Sequence, residues 1–315
     1  MIKDKKIGVV IPAYNENGLI EKVLTTMPDF VDYMITVNDG STDNTLFLIS
    51  QCAKSDTRII VLDNVENKGL GQTLINGYIK ARDMGIDVIA VMAGDAQMHP
   101  DDLHDLCMPI INEGYGYTKG NRLLRPDCYE KMPKHRFIGN AGLSFLTKFA
   151  TGYWHVIDPQ CGYTVISNEA LSVIPIEEMT KKYGYNADIL NMLNLANIRV
   201  KDVEVRPVYG DEQSKIKLGR YIRRIVKLLL KLFLRRMKSK YLLRDFNPLV
   251  FFYFFAFICI AIVGTIFLVR FFYMLIAFGE LPRTTTTIMM FTYMIGYFSS
   301  FFGMWLDMDD NKKLK

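Results

Sequence analysis

Between Val91 and Pro100 the chain reads VMAGDAQMHP: an apolar run stops at Gly94 and is followed by Asp95 and, two residues on, Gln97. An aspartate so placed is either a turn residue or a group that holds a hard cation through oxygen. Three other apolar runs end in comparable residues. PAYNE (Pro12, Ala13, Tyr14, Asn15, Glu16) offers a backbone turn, an aromatic face and a carboxylate. NDGSTDNT sets Asp39 and Asp43 around a Gly-Ser turn, and NVENKG brings Asn67, Lys68 and Gly69. A nucleoside needs such groups: a wall for the base, and carboxyl or amide groups for its edge and the ribose hydroxyls. No one of these motifs is specific, and NDGSTDNT alone reads first as a turn leading into a helix N-cap.

The elements that must position these groups alternate. IGVVIP, YMITVN, RIIVLD and DVIAVMAG read as strands, each bounded by turn or polar residues. Leu19–Met27, Asp43–Ala53, Gly71–Met84 and Asp101–Glu113 have helical spacing. Such alternation predicts a mostly parallel α/β sheet with helices on both faces. In that architecture ligands bind at the carboxyl ends of the strands, where all four polar motifs fall. Beyond residue 120 the pattern is less regular. Basic residues lead into a helix in GNRLLRPDCYEKMPKHRFIGNAGLSFLTKFATGYW, DPQCGYTVIS reads as turn then strand, NADILNMLNLA as helix and IRVKDVEVRPV as strand.

The 315 residues carry a formal charge of +5, unevenly spread. Residues 215–244 hold twelve Lys or Arg and no acid; without them 26 basic residues face 33 acidic ones. The basic positions recur with helical spacing opposite Leu, Ile and Phe. A basic amphipathic helix suits nucleic acid, a calmodulin-like partner or an anionic membrane; the apolar sequence that follows selects the membrane and leaves no role for nucleic acid. From Pro248 two apolar runs, about 249–270 and 287–306, approach the roughly 20 residues that cross a bilayer. The positive flank keeps the preceding domain inside. The opening MIKDKKIGVVIPAYNE has too short an apolar run for a signal peptide. The five cysteines show neither disulfide nor metal spacing, which suits a reducing compartment. The expected organisation is therefore a cytoplasmic catalytic domain (1–214), a basic juxtamembrane segment (215–246) and a two-helix transmembrane hairpin with a short tail (247–315). Both termini then lie in the cytoplasm of a cell-membrane protein.

Taken in order, PAYNE at 12–16, NDGSTD at 38–43, NKGLG at 67–71 and GDAQ at 94–97 resemble family 2 glycosyltransferases, which have the GT-A (nucleotide-diphospho-sugar transferase) fold. TKGNR at 118–122, HRFIGNAG at 135–142, DPQCGY at 158–163 and YGDEQSK at 209–215 narrow the resemblance to enzymes that place a sugar on a polyprenyl phosphate, such as dolichol-phosphate mannose or undecaprenyl-phosphate glucose synthases. The resemblance covers nearly all of residues 5–245. It implies that Pro12 to Glu16, Asp39, Asn67, Lys68, Gly69 and Asp95 bind the donor nucleotide, a nucleotide-diphosphate sugar. It further implies that Asp95 holds Mg²⁺ or Mn²⁺ and that Gln97 lies beside the sugar. Ala93 stands where the family often has a first aspartate, so one carboxylate would share the ion with phosphates and water, which Mg²⁺ tolerates. A lipid phosphate is already anionic at neutral pH, its second pKa being about 6. It needs cations to position it rather than a base, and Arg122, Arg136 and Lys215 are the candidates. Asp188 is the best base should one be needed, and otherwise a helix residue facing the site or solvent. Members of this branch can self-associate, so a homo-oligomer is compatible.

Two other readings compete. A processive polysaccharide synthase would carry a QxxRW motif and more spans, and neither Trp154 nor Trp305 has that context. A non-catalytic, membrane-anchored nucleotide-sugar-binding partner would explain Ala93 but leaves Asp95, Gln97, Arg122 and Arg136 without purpose.

Overall fold

The runs rich in Val and Ile form strands, since such side chains pack well on a pleated, half-buried surface. A computed structural model describes residues 1–124, 134–208, 218–279 and 281–315. Its strands are β1 (Ile7–Ala13), β2 (Tyr33–Asn38), β3 (Ile59–Asp63), β4 (Val88–Val91), β5 (Tyr117–Asn121), β6 (Thr164–Ser167) and β7 (Val200–Glu204). They form one sheet in the order β3-β2-β1-β4-β6-β5-β7, and only β6 runs antiparallel to its neighbours. The expected mostly parallel α/β architecture is therefore present. Strand order reverses between β1 and β4, which makes their carboxyl ends a crevice.

Each face of the sheet has its own core. On β1, Val9 and Ile11 pack to one side with Ile20, Val23 and Leu24 of α1 (Ile20–Thr25), Ile49 of α2 (Thr45–Ser55) and Leu103 and Leu106 of α4 (Asp102–Glu113). Val10 points the other way, toward Leu74, Ile75 and Tyr78 of α3 (Leu70–Asp83). Alternation along the strand dictates this division. α5 (Lys134–Thr151), α6 (Asn168–Val173) and α7 (Tyr185–Leu195) follow.

β5 has no strand signature in its sequence, YTKGN, yet all five residues are buried. Its polar side chains are paired. Thr118 Oγ1 donates to the Leu106 carbonyl (2.6 Å), Lys119 Nζ to the Cys161 carbonyl (2.6 Å) and Asn121 Nδ2 to Asp202 Oδ2 (2.7 Å).

Two compact units divide the chain: residues 1–234 with 314–315, and residues 235–313. The expected basic helix is α8 (Leu218–Arg236). Ile225, Leu229 and Leu232 bury one face with Ala150 and Ala187, while Arg223, Arg224, Lys227 and Lys231 are exposed. The second unit starts within the last residues of α8 and includes a π-helical stretch, Met237–Arg244. It continues as a 30-residue helix, Leu249–Phe278, long and apolar enough to cross a membrane. This comprises α9 (Leu249–Phe257), a π turn and α10 (Gly264–Phe278).

The stretch expected to hold the second span is helical, α11 (Arg283–Asp310), and runs antiparallel to the first helix: Gly303 lies against Tyr253, Gly296 against Ile260 and Gly264 against Tyr293. Among the described residues, however, only Leu249–Phe278 has the length and apolarity of a span. The run of threonines and the Ser, Gly and Tyr residues dilute α11. The basic segment also needs correction, since Arg236 and Lys240 do not face solvent or lipid. They are buried against Asp307 and Asn311.

Candidate functional site

The carboxyl ends of β1, β2, β3 and β4 are tied into one surface. Ala13 of β1 accepts the Asp39 N–H (2.9 Å), and Pro12 accepts the Gly94 N–H (3.1 Å). Beyond β1, Asn15 adopts φ +57° and its Oδ1 accepts the Thr42 N–H (2.9 Å), while its own N–H donates to Ser41 Oγ (3.1 Å). The Glu16 N–H donates to Thr45 Oγ1 (2.8 Å). PAYNE and NDGSTD thus hold each other, and Tyr14 is left 46 % exposed at the rim.

Asp39 is buried and organises the third loop. Its Oδ1 accepts from Asn64 Nδ2 and the Lys68 N–H, its Oδ2 from the Gly69 N–H, each at 2.9 Å. The Lys68 and Asn67 side chains stay exposed. Gly40 (φ +66°) permits this close approach, because a Cβ there would fall 2.6 Å from the Asn67 nitrogen. Gly71, in the first turn of α3, lies against residues 180–181, and a Cβ would overlap the Thr180 carbonyl. Asp188 fixes that neighbour: its Oδ2 accepts from the Thr180 N–H (2.8 Å) and Oγ1 (2.6 Å). Asp188 is buried, so it faces Thr180 rather than solvent and supports the loop.

Past β4, Asp95 Oδ1 accepts the Gln97 N–H (3.0 Å) across Ala96, which adopts φ +55°. Asp95 is half-buried beside α7. Burial holds the Tyr185 phenol above its ordinary range, with the Asp95 charge a smaller contribution. Among the described residues no three His, Cys, Asp or Glu side chains gather as a metal cage. One hard carboxylate at a strand end fits a cation that arrives with its other oxygens from a diphosphate and water, not one that the protein holds alone.

Arg122 follows β5 directly. Its Nε and Nη2 donate to Asp158 Oδ2 (2.8 Å) and Oδ1 (3.2 Å). Asp158 is buried at the start of DPQCGY, the segment leading into β6. The same segment reaches the Asp95 loop, because Gly162 lies against Met98 Cε and Tyr185 Oη. Lys119 ties its middle, donating to the Cys161 carbonyl and to Asn186 Oδ1 (3.2 Å). Burial pushes the Lys119 ammonium down, and the Asp158 and Asp202 charges oppose that. Pro12 to Glu16, Asp39, Lys68, Gly69, Asp95 and Gln97 therefore stand on one sheet edge, with Arg122 next along it beyond β6. Arg136 falls in the first turns of α5, its side chain outside the described residues, as is Lys215 altogether.

The sequence reading missed Asp158, Asn64 and Asp202. Asp158 lies in a motif singled out above, but its partner is 36 residues away and no local pattern joins them. Asn64 opens the third loop, and nothing in the sequence sets it apart from its neighbours there.

Residues 8–174 match glycosyl transferase family 2. The chain is 31 % identical over 221 residues, 66 % of itself and 88 % of the relative, to UDP-N-acetylglucosamine–dolichyl-phosphate N-acetylglucosaminyltransferase of Methanococcus voltae. It is 25 % identical over 234 residues, 71 % of itself and 64 % of the relative, to dolichol-phosphate mannosyltransferase of Pyrococcus furiosus. In fold it resembles glucosyl-3-phosphoglycerate synthase of Mycobacterium tuberculosis in complex with Mn²⁺, UDP and glucosyl-3-phosphoglycerate. There the TM-score is 0.54 at 20 % identity, over 74 % of this chain and 80 % of that one. With its strand-end motifs inside the matched segment, the chain belongs to glycosyl transferase family 2 and is a glycosyltransferase.

Proposed function

We propose that the protein transfers a sugar from a nucleotide-diphosphate sugar to a polyprenyl phosphate at the cytoplasmic face of a membrane, with inversion at the anomeric carbon. The observation that carries this reading is the placement of Arg122, fixed by Asp158, on the same sheet edge as Asp95. A guanidinium there suits a phosphate acceptor, and the relatives named for dolichyl phosphate support that chemistry.

Each residue has a part in this reading. The loops at 12–16, 39 and 67–69 seat the nucleotide. Asp95 holds Mg²⁺ or Mn²⁺, which when bound supplies positive charge against the departing diphosphate. Gln97 lies beside the sugar. Arg122, Arg136 and Lys215 orient the acceptor phosphate, which needs no base because it is already ionised. The exposed cations of α8 lie along the anionic leaflet, each worth about 1 kcal/mol near the surface. In this reading Leu249–Phe278 is the first crossing and α11, antiparallel to it, the second.

The test uses the full chain in detergent with nucleotide sugars, a polyprenyl phosphate and Mg²⁺ or Mn²⁺. Nucleoside diphosphate should appear only when the lipid phosphate is present, and Asp95→Asn should abolish its release while the fold persists. Release independent of the lipid, or full activity in the variant, defeats the proposal.

A further inference from the structure

The stretch beside the Arg122–Asp158 pair has a property that the transfer chemistry does not use. Ile157, immediately before Asp158, is 41 % exposed, and on α5 Phe145 is 53 % exposed. Phe145 meets Phe149 edge-on at 5.1 Å between ring centroids, and Phe149 meets Trp154 edge-on at 4.8 Å. The three rings form a row, and backbone ties hold the Trp154 and Ile157 segment to α5 and β7. Ser144 Oγ donates to the Ile157 carbonyl (3.1 Å), the Ile157 N–H donates to Asp202 Oδ2 (2.8 Å), and Lys148 Nζ donates to the Trp154 carbonyl (2.7 Å). Exposed apolar side chains grouped in this way mark a binding surface more often than scattered ones do.

We infer that Ile157, Phe145, Phe149 and Trp154 form a shelf for the first isoprene units of the acceptor lipid. The inference rests on the acceptor being a polyprenyl phosphate, as proposed above. Charge and chain continuity select the occupant. A phosphate at Arg122 stands next to Asp158, and Ile157 is the adjoining residue, so an apolar chain leaving that phosphate meets Ile157 first and the row of rings next. The shelf belongs to the catalytic unit, not to the hairpin. It would therefore hold the lipid's proximal chain against the protein after that part has left the bilayer, and offset the cost of exposing it to water.

The experiment compares prenyl phosphates of increasing chain length as acceptors, using the full chain in detergent and again in lipid nanodiscs, with Phe145→Ser and Ile157→Ser. Both positions are exposed, so the variants should fold, and nucleotide-sugar binding by titration checks that they do. For the wild type, KM should fall with chain length over the first few units. In each variant the long-chain KM should rise about tenfold, the shortest acceptor should change little, and the length dependence should flatten. Unchanged length dependence refutes the shelf. An equal rise for every length means these residues place the phosphate, not the chain, and also refutes it. A loss seen in nanodiscs but not in detergent assigns the surface to the bilayer instead. If no prenyl phosphate of any length is used by the wild type, the acceptor assignment itself fails, and the shelf with it.

Discussion

Arg122 and Asp158 meet at two points, Nε to Oδ2 at 2.8 Å and Nη2 to Oδ1 at 3.2 Å, with the carboxylate buried and the guanidinium partly open to solvent. Such a fork fixes the plane of the guanidinium as well as its position.

Asp158→Asn should therefore act through Arg122. Losing the charged pair should cost about 2 kcal/mol of stability and raise KM for the lipid phosphate roughly tenfold, with nucleotide binding unchanged. The discriminating measurement is a double-mutant cycle. Arg122→Ala with Asp158→Ala should be no worse in kcat/KM than Arg122→Ala alone. Additive losses would mean that Asp158 acts on the reaction separately.

Asp39 makes a different forecast. Its two oxygens accept from the Lys68 and Gly69 backbone N–H groups and from Asn64, so an amide there must turn its NH₂ toward a donor. Asp39→Asn should lose about 1–3 kcal/mol, the cost of a buried donor left without a partner. It should also loosen the 64–69 loop and weaken the affinity for nucleotide sugar. Thermal unfolding and a nucleotide titration read the two effects. A variant with normal affinity would show that this loop does not seat the nucleotide.

In the second unit, the fully buried Arg236 and Asp307 are joined by two N–H···O bonds, the Nη2 one at 2.7 Å. Tyr241 Oη (3.0 Å) and Asn311 Nδ2 (2.8 Å) also donate to Asp307 Oδ1. Removing one partner strands a buried charge, at a cost of about 3–5 kcal/mol, whereas replacing both with apolar residues can be neutral. Arg236→Met and Asp307→Leu should each lower resistance of the detergent-solubilised protein to heat and protease, and the double variant should recover most of it. Equal sensitivity of the double and the single variants would show that the loss comes from the missing pair and its hydrogen bonds, not from a stranded charge.

How much of this was legible depended on whether a signal is local. β1 to β4 and the helices between them announce themselves by β-branched runs and helical spacing, and each forms at its expected place, although β4 ends at Val91, short of the Gly94 expected. β5 does not, because Thr118, Lys119 and Asn121 look unsuited to a buried strand until their distant partners Leu106, Cys161 and Asp202 are in place. The strand-end site was legible as motifs, but the use of Asp39 to hold a loop was not. The basic segment misled in one respect. Helical spacing identified the amphipathic helix, yet nothing near Arg236 or Lys240 discloses acids and amides some 71 residues away.

The last forecast concerns pH. Asp202 lies beneath the proposed lipid shelf, its Oδ2 accepting from the Ile157 N–H and from Asn121 Nδ2. Its Oδ1 is buried with no partner among the described residues. Burial raises this carboxyl from 3.8 to about 6, against the opposing pull of its hydrogen bonds and of Lys119. The native state therefore keeps a proton that the unfolded chain releases between those two values. Stability should fall as pH rises through that window, and the penalty is complete above about 6. Asp202→Asn removes the titrating group but keeps an acceptor for Ile157. The variant should gain stability relative to wild type as pH rises from about 4 to 7, with the slope of wild-type unfolding free energy flattened between 3.8 and about 6. Chemical denaturation at several pH values measures this. A wild-type slope that persists in the variant would place the titration elsewhere.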